Sequence, residues 1–266
     1  MAIFSVQNTR DISVPWTAWF VYGNSGTGKT TIASTFPKPL FLVPKNEDSA
    51  TTLRGQNFAF ITLLDRSSPF KNGMGGLDAV LTVIEDQYAM SLRKDDESLF
   101  PYQTIVLESM THYCDLVQDE LTDGAKEQMT MDKWGKLSAH LRNVHARLRA
   151  LDVHVVYTAL SKVDKDGKEA GPHLPGQSAD KLPSACDVYA YVDVKDQGRD
   201  KPPRHTVYFR QRDIYPARTR FQGFPGSVEN FKFNDIKHLL YVKPLPDEPV
   251  DELADEPQPE TALSNT

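Results

Sequence analysis

Short apolar runs alternate with amphipathic segments along residues 16–210. The runs have the length of buried strands, and the amphipathic segments repeat their apolar positions at helical spacing. Strands that alternate with helices favour a mostly parallel sheet covered on both faces, with ligands at the carboxyl ends of the strands. We predict strands at 16–22, 40–43, 58–64, 104–107, 153–158, 188–194 and 206–210, helices at 29–35, 77–92 and 134–151, and loops at 72–76 and 161–181.

A glycine-rich segment lies between the first predicted strand and the first predicted helix. It reads GNSGTGKT and matches the pattern G-x-x-x-x-G-K-[ST], in which backbone N–H groups surround phosphate oxygens. Lys29 is predicted to reach the β and γ phosphates, and the Thr30 hydroxyl to bind Mg²⁺. We assign nucleotide binding to Gly23, Asn24, Ser25, Gly26, Thr27, Gly28, Lys29, Thr30 and Thr31.

A phosphate loop of this kind works with an acid at the end of a second buried strand. The segment TIVLES supplies Glu108 there, where most phosphate-loop proteins have aspartate. We predict that Glu108 is a catalytic residue and, with Thr30, a Mg²⁺ ligand. The predicted fold class is therefore α/β, a P-loop NTPase with a mostly parallel sheet flanked by helices.

Charge and composition divide the chain into a body and a tail. The formal net charge is −6, and removing the seven acids that follow Lys243 changes it to +1. We predict a folded domain at 1–243 and a disordered, acidic, proline-rich tail at 244–266. The composition also predicts a cytoplasmic protein with no membrane partner. There is no signal peptide pattern or long apolar run, and the two cysteines, Cys114 and Cys186, suit a reducing compartment.

Five segments together resemble a phage-type family of RecA-like ATPases, some of which are single-strand DNA annealing proteins of the Sak group. The resemblance spans roughly residues 14–222. It implies a RecA-like core for the predicted sheet, with ATP and Mg²⁺ as cofactors. It also implies three candidate partners: single-stranded DNA, further copies of the chain in a ring or filament, and a single-strand binding protein. The segments are YGNSGTGKTTIASTFPKPLFLV, YQTIVLESMTHY, VHVVYTALSKV, LPGQSADKLPSACDVYAYV and RQRDIYPARTR.

The resemblance also implies roles for residues outside the phosphate loop. RecA-like cores usually carry a catalytic glutamate after the second strand, a position that Lys45 occupies here, and Glu47 is the candidate base two residues on. Thr158 ends the strand that carries a polar sensor of the γ-phosphate. Arg212, Arg218 and Arg220 are candidates for an arginine that reaches the nucleotide of a neighbouring subunit, with surface or DNA-contacting arginines as the alternative.

Two groups of basic residues are candidates for DNA contact. Lys133, Lys136 and Arg147 recur on one stripe of a predicted helix, and the alternative is a solvated helix face. Lys162, Lys165 and Lys168 lie in the loop predicted at 161–181, where RecA-like cores place a DNA-contacting loop. The acids of that loop nearly cancel its charge, so an ordinary surface loop is equally consistent with the sequence.

The leading interpretation is a DNA-binding ATPase that aids single-strand annealing or recombination and hydrolyses ATP slowly. Slow hydrolysis follows from Lys45 and Glu108, which depart from the family pattern. The same departures favour a non-hydrolysing module in which ATP sets assembly. The segment SKVD at 161–164 partly matches the guanine-reading N-K-x-D of GTPases, so a GTP-binding protein is a third candidate. A small-molecule kinase is the fourth.

Overall fold

The computed structural model describes residues 16–44, 49–63, 73–124, 126–195 and 203–240. All of them belong to one contact-defined unit, Val14–Tyr241. Lys45, Glu47 and the predicted tail at 244–266 lie outside the described residues. None of the helices in the described part of the chain has the length and apolar character needed to cross a membrane.

Ten strands join into one sheet within the described residues. The strands are β1 Ala18–Gly23, β2 Pro39–Pro44, β3 Ala59–Leu63, β4 Thr104–Leu107, β5 His154–Val163, β6 Ala170–Pro172, β7 Val188–Lys195, β8 Arg204–Tyr208, β9 Arg218–Thr219 and β10 Ser227–Glu229. Their order in the sheet is β10-β8-β7-β1-β5-β4-β2-β3, with β6 beside β5 and β9 beside β7. The pairs among β7, β1, β5, β4, β2 and β3 are parallel, and β8, β9 and β10 add antiparallel pairs.

Helices cover both faces of the sheet, and alternate residues of β1 point into the two cores. The helices are α1 Lys29–Ser34, α2 Ser49–Thr52, α3 Gly73–Lys94, α4 Met110–Leu121, α5 Met131–Arg149, α6 Ser178–Ala185 and α7 Phe233–Leu240. Phe20 and Tyr22 pack in the core that α3, α4 and α5 cover, whereas Trp19 and Val21 pack in the core that α1 and α7 cover. This is the alternation expected of a strand buried on both sides. The predicted fold class is confirmed.

The loop predicted at 161–181 is wrong. Strand β5 continues to Val163 and forms a hairpin with β6, and α6 begins at Ser178. The tight turn explains the polar sequence, because Asp164 Oδ1 accepts hydrogen bonds from the backbone N–H groups of Lys168 at 2.7 Å and Glu169 at 3.1 Å. The loop predicted at 72–76 is also wrong, since α3 already begins at Gly73.

A buried carboxylate joins distant parts of the chain at the start of β1. Asp187, 7% exposed, accepts a 2.8 Å hydrogen bond from the backbone N–H of Ala18. Arg149 at the end of α5 lies 3.5 Å from Asp187 Oδ2, and Arg220 lies 3.3 Å from Oδ1. A buried acid requires such partners. We call Asp187, Arg149 and Arg220 the Asp187 cluster.

His154 is a buried neutral histidine at the start of β5. It is 1% exposed, and its Nδ1 lies 3.2 Å from the backbone N–H of Thr17 and 3.0 Å from the Thr17 hydroxyl. The backbone N–H can only donate, so Nδ1 accepts and the ring proton sits on Nε2. Burial, with a smaller contribution from the charge of Arg149, lowers the pKa of His154 to about 4.

We expect the NMR signals of His154 to show no titration near pH 6.5 and a protonation step near pH 4. The unfolded chain binds this proton near pH 6.5, so His154 costs stability as the pH falls from 6.5 to 4, by about 3 kcal/mol at most. Burial also lowers the pKa of His140 and His145, so the comparison is with His154→Gln. That variant should lose part of the acid destabilisation. An ordinary His154 titration near pH 6.5 would contradict the assignment.

Candidate active site

The phosphate loop begins where β1 is held between two strands. Gly23 pairs with Leu160 of β5 on one side and Val192 of β7 on the other. A Cβ atom on Gly23 would lie 2.3 Å from the carbonyl oxygen of Val192 and 2.9 Å from Thr27 Oγ1, so no side chain can be accommodated. Gly26 and Gly28 have φ angles of 78° and 91°, a left-handed conformation that favours glycine. Each glycine of the motif therefore has its own steric reason.

The loop's own carbonyl groups hold Lys29. Its ammonium group donates to the carbonyl oxygens of Gly23 at 3.0 Å and Asn24 at 2.8 Å, and the residue is 7% exposed. The Thr27 hydroxyl also donates to the Asn24 carbonyl, at 2.9 Å. The positive charge is therefore kept inside the loop, where a phosphate chain would bind, while Asn24, Ser25 and Gly26 are exposed on its rim.

Thr30 and Glu108 meet although α1 and β4 are far apart in sequence. The Thr30 hydroxyl donates a 2.9 Å hydrogen bond to Glu108 Oε1. Glu108 follows β4 directly and is 3% exposed, and its backbone N–H donates to the carbonyl oxygen of Leu42 at 3.0 Å. A hydroxyl and a carboxylate are oxygen ligands of the kind that Mg²⁺ takes beside bound phosphates. The pair predicted to hold Mg²⁺ is therefore assembled and fits the ion.

Thr158 lies on β5, the strand between β1 and β4. It is fully buried, it pairs with Val21, and its hydroxyl donates to the carbonyl oxygen of Leu107 at 3.5 Å. Thr158 therefore links β1, which leads into the phosphate loop, to β4, which leads to Glu108. Its role as a sensor stays a prediction.

Three polar contacts at the site have no counterpart among the predicted residues. His205 on β8 donates from Nδ1 to the carbonyl oxygen of Thr27 at 2.8 Å. Ser161 at the end of β5 bonds to the Asn24 side chain. Ser109 lies 3.0 Å from Nδ1 of His112 on the first turn of α4. Ser161 and Ser109 adjoin recognised motifs in sequence, whereas the position of His205 depends on the pairing of β8 with β7 and has no local signal.

The three candidate arginines all bind groups of their own chain. Arg218 donates to the carbonyl oxygens of Pro183 at 3.0 Å and Ser184 at 2.8 Å, at the end of α6. Arg220 donates to the Ser184 carbonyl at 3.0 Å and belongs to the Asp187 cluster. Arg212 instead binds two side chains, the hydroxyl of the buried Tyr208 at 2.7 Å and the exposed carboxylate of Asp213 at 3.0 Å. Their roles towards a neighbouring subunit stay predictions.

The stripe of basic residues on α5 is compensated by acids. Lys133 pairs with Glu127, and Lys136 pairs with Asp132 at 2.8 Å. Arg147 donates to Glu85 at 2.7 and 2.8 Å and to Asp78 at 3.1 Å, and its side chain is 20% exposed. A DNA phosphate would compete with these carboxylates. Contact between this stripe and DNA stays a prediction.

The hairpin of β5 and β6 carries the other three candidates. Lys162, Lys165 and Lys168 are all exposed. The carboxylate of Asp164, which a guanine-reading motif would need, is bound to the backbone of its own turn. This geometry disfavours the GTP-binding interpretation and leaves the lysine side chains on the surface.

These features define a P-loop NTPase site. Strand β1 leads into a glycine-rich loop around the buried Lys29, and α1 follows with Thr30 beside the acid Glu108. A family model described as an AAA domain matches residues 17–221. The match covers most of the chain, so the protein belongs to this family and is a nucleotide-binding ATPase of the AAA type. No individual curated protein matches the sequence.

We expect Glu108→Gln to weaken nucleotide binding only when Mg²⁺ is present. The amide keeps the size of the side chain but loses the charge that the metal needs, which should cost about tenfold or more in affinity. Calorimetry with ATP, in Mg²⁺ and in excess chelator, measures the two affinities. Equal affinities of the variant and the wild type in Mg²⁺ would remove Glu108 from the metal site.

Proposed function

We propose that this ATPase binds Mg-ATP, hydrolyses it slowly and acts on single-stranded DNA in annealing or recombination, in the host cytoplasm if it is phage-encoded. The observation that carries the proposal is the pairing of two features: the Lys29 ammonium group held inside the phosphate loop, and the hydrogen bond from the next residue, Thr30, to Glu108. The DNA role is supported by the resemblance to phage RecA-like annealing proteins.

The residues present suit in-line attack of water on a γ-phosphate. Lys29 would stabilise the charge that develops there, and Thr30 and Glu108 would hold the metal. Bound Mg²⁺ supplies further charge neutralisation at the phosphates. Slow turnover follows because Glu108 bonds to Thr30, and the next residue, Ser109, adds a hydroxyl rather than a second carboxylate.

The hairpin of β5 and β6 is the better of the two candidate DNA surfaces. Its lysines are exposed, whereas those of α5 are paired with acids. Ser161 at its base bonds to Asn24 of the phosphate loop. The contact between Ser161 and Asn24 would thus link the nucleotide at the phosphate loop to DNA at the hairpin. It supplies a physical route by which nucleotide binding and DNA binding could be coupled.

Assembly with further copies, and contact with a single-strand binding protein, belong to the same proposal. Among the arginines, Arg212 is the best candidate to reach a neighbouring nucleotide. Its ion-pair partner Asp213 is 75% exposed, and an exposed ion pair exchanges at little cost, although Arg212 would also have to leave the Tyr208 hydroxyl. Arg218 and Arg220 would have to leave the carbonyl groups at the end of α6.

The test of the proposed function is ATP hydrolysis with and without single-stranded DNA, beside Lys29→Ala. We expect slow turnover that DNA raises and that the variant loses, because Lys29 is the cation inside the phosphate loop. No turnover with ATP still bound would replace this proposal with the nucleotide-dependent assembly module. The end of β4 carries a single carboxylate, Glu108, and this observation favours the assembly module.

We expect removal of Lys162, Lys165 and Lys168 together, as alanines, to weaken binding of single-stranded DNA. Three lost phosphate contacts should also reduce the slope of log affinity against log salt by roughly 2. Fluorescence anisotropy over a salt series measures both effects. The matched control is Lys133→Ala with Lys136→Ala, which should change little. The reverse pattern would move the DNA surface to α5.

A further inference from the structure

A cavity of about 370 Å³ opens beside the phosphate loop, between α1, β2 and the connection from α2 to β3. Its walls are largely apolar and include Phe41 and Val43 of β2, Leu53, Phe58 and Phe60. Thr30 lines it as well, so one residue belongs both to the predicted metal site and to the wall of the cavity.

The cavity has the features of a small-molecule site rather than of a packing defect. Ligand pockets are mostly apolar, have volumes of about 300 Å³ or more, and carry a few polar groups that fix orientation. Phe60 is 58% exposed although its side chain is large and apolar. The rings of Phe41 and Phe58 lie 5.9 Å apart, edge to face, in the wall. Arg54 and Gln56 are exposed and supply the polar groups.

We propose that this cavity takes the base of the bound nucleotide, with Phe58 and Phe60 as the rings on which the base stacks. The inference rests on the proposed nucleotide binding and assigns it a specificity site. A base is flat and aromatic, and stacking on a phenylalanine ring suits every base. Arginine and glutamine are the side chains that pair with two atoms of a purine edge at once, arginine with guanine and glutamine with adenine.

The position of Thr30 links the two halves of the ligand. If the phosphates of a nucleotide bind at Lys29 and Thr30, the cavity is the apolar space next to them, because Thr30 forms part of the cavity wall. Phosphate affinity then comes from the loop, and base affinity comes from Phe58 and Phe60. The two contributions are separable, since inorganic triphosphate has the phosphates without the base.

The experiment compares ATP with inorganic triphosphate on the wild type and four variants of the full chain, each with Mg²⁺. Phe60→Ala should weaken ATP binding roughly tenfold and leave triphosphate binding unchanged, because it removes only a stacking contact. Lys29→Ala should weaken both ligands. Leu92→Ala is the matched control, since Leu92 is an apolar side chain with 63% exposure on α3, and it should change neither.

The outcomes separate the inference from the function on which it rests. A wild-type chain that binds neither ligand overturns the proposed function and this inference with it. If the wild type binds both ligands and Phe60→Ala leaves both affinities unchanged, or lowers both equally, the base does not bind here. Phe60→Leu, which keeps an apolar side chain but removes the ring, should resemble Phe60→Ala. Wild-type affinity in Phe60→Leu would contradict stacking.

Discussion

The close approach of β7 to β1 is the constraint on which the site depends. Strand β1 is hydrogen-bonded to parallel strands on both sides, and at its last residue the carbonyl group of Val192 leaves no room for a Cβ atom. The chain must therefore leave the sheet through a glycine. The turn that follows places the carbonyl groups of Gly23 and Asn24 around Lys29 and directs α1 across the neighbouring strands.

The order of the strands then determines which residues α1 can contact. Because β5 lies between β1 and β4, Thr30 reaches over one strand to bond to Glu108. The same intervening strand carries Thr158 inside the sheet and Ser161 at its edge, beside Asn24. The phosphate loop, the predicted metal ligands and the hairpin thus lie together at the carboxyl ends of neighbouring strands of the sheet.

The sequence allowed prediction of the α/β class, the phosphate loop and Glu108, because each depends on a local pattern or on the end of a buried strand. Contacts that depend on pairing between distant segments could not be predicted. His205 reaches Thr27 only because β8 pairs with β7, and the charge of Arg147 is compensated by acids of α3. The hairpin after Ser161 could not be predicted because its turn is polar and reads as a loop, although the Asp164 side chain bonds to the backbone of that turn.

The Asp187 cluster has a consequence for how the sequence can vary. One carboxylate faces two guanidinium groups that come from the end of α5 and from the segment after β9, and it also binds the backbone where β1 begins. Loss of the acid alone would leave two cations facing each other beside the core, whereas loss of one arginine would leave the acid partly compensated. We therefore expect the three positions to vary together, because a neutral residue at 187 is better tolerated where the charges at 149 and 220 have also changed.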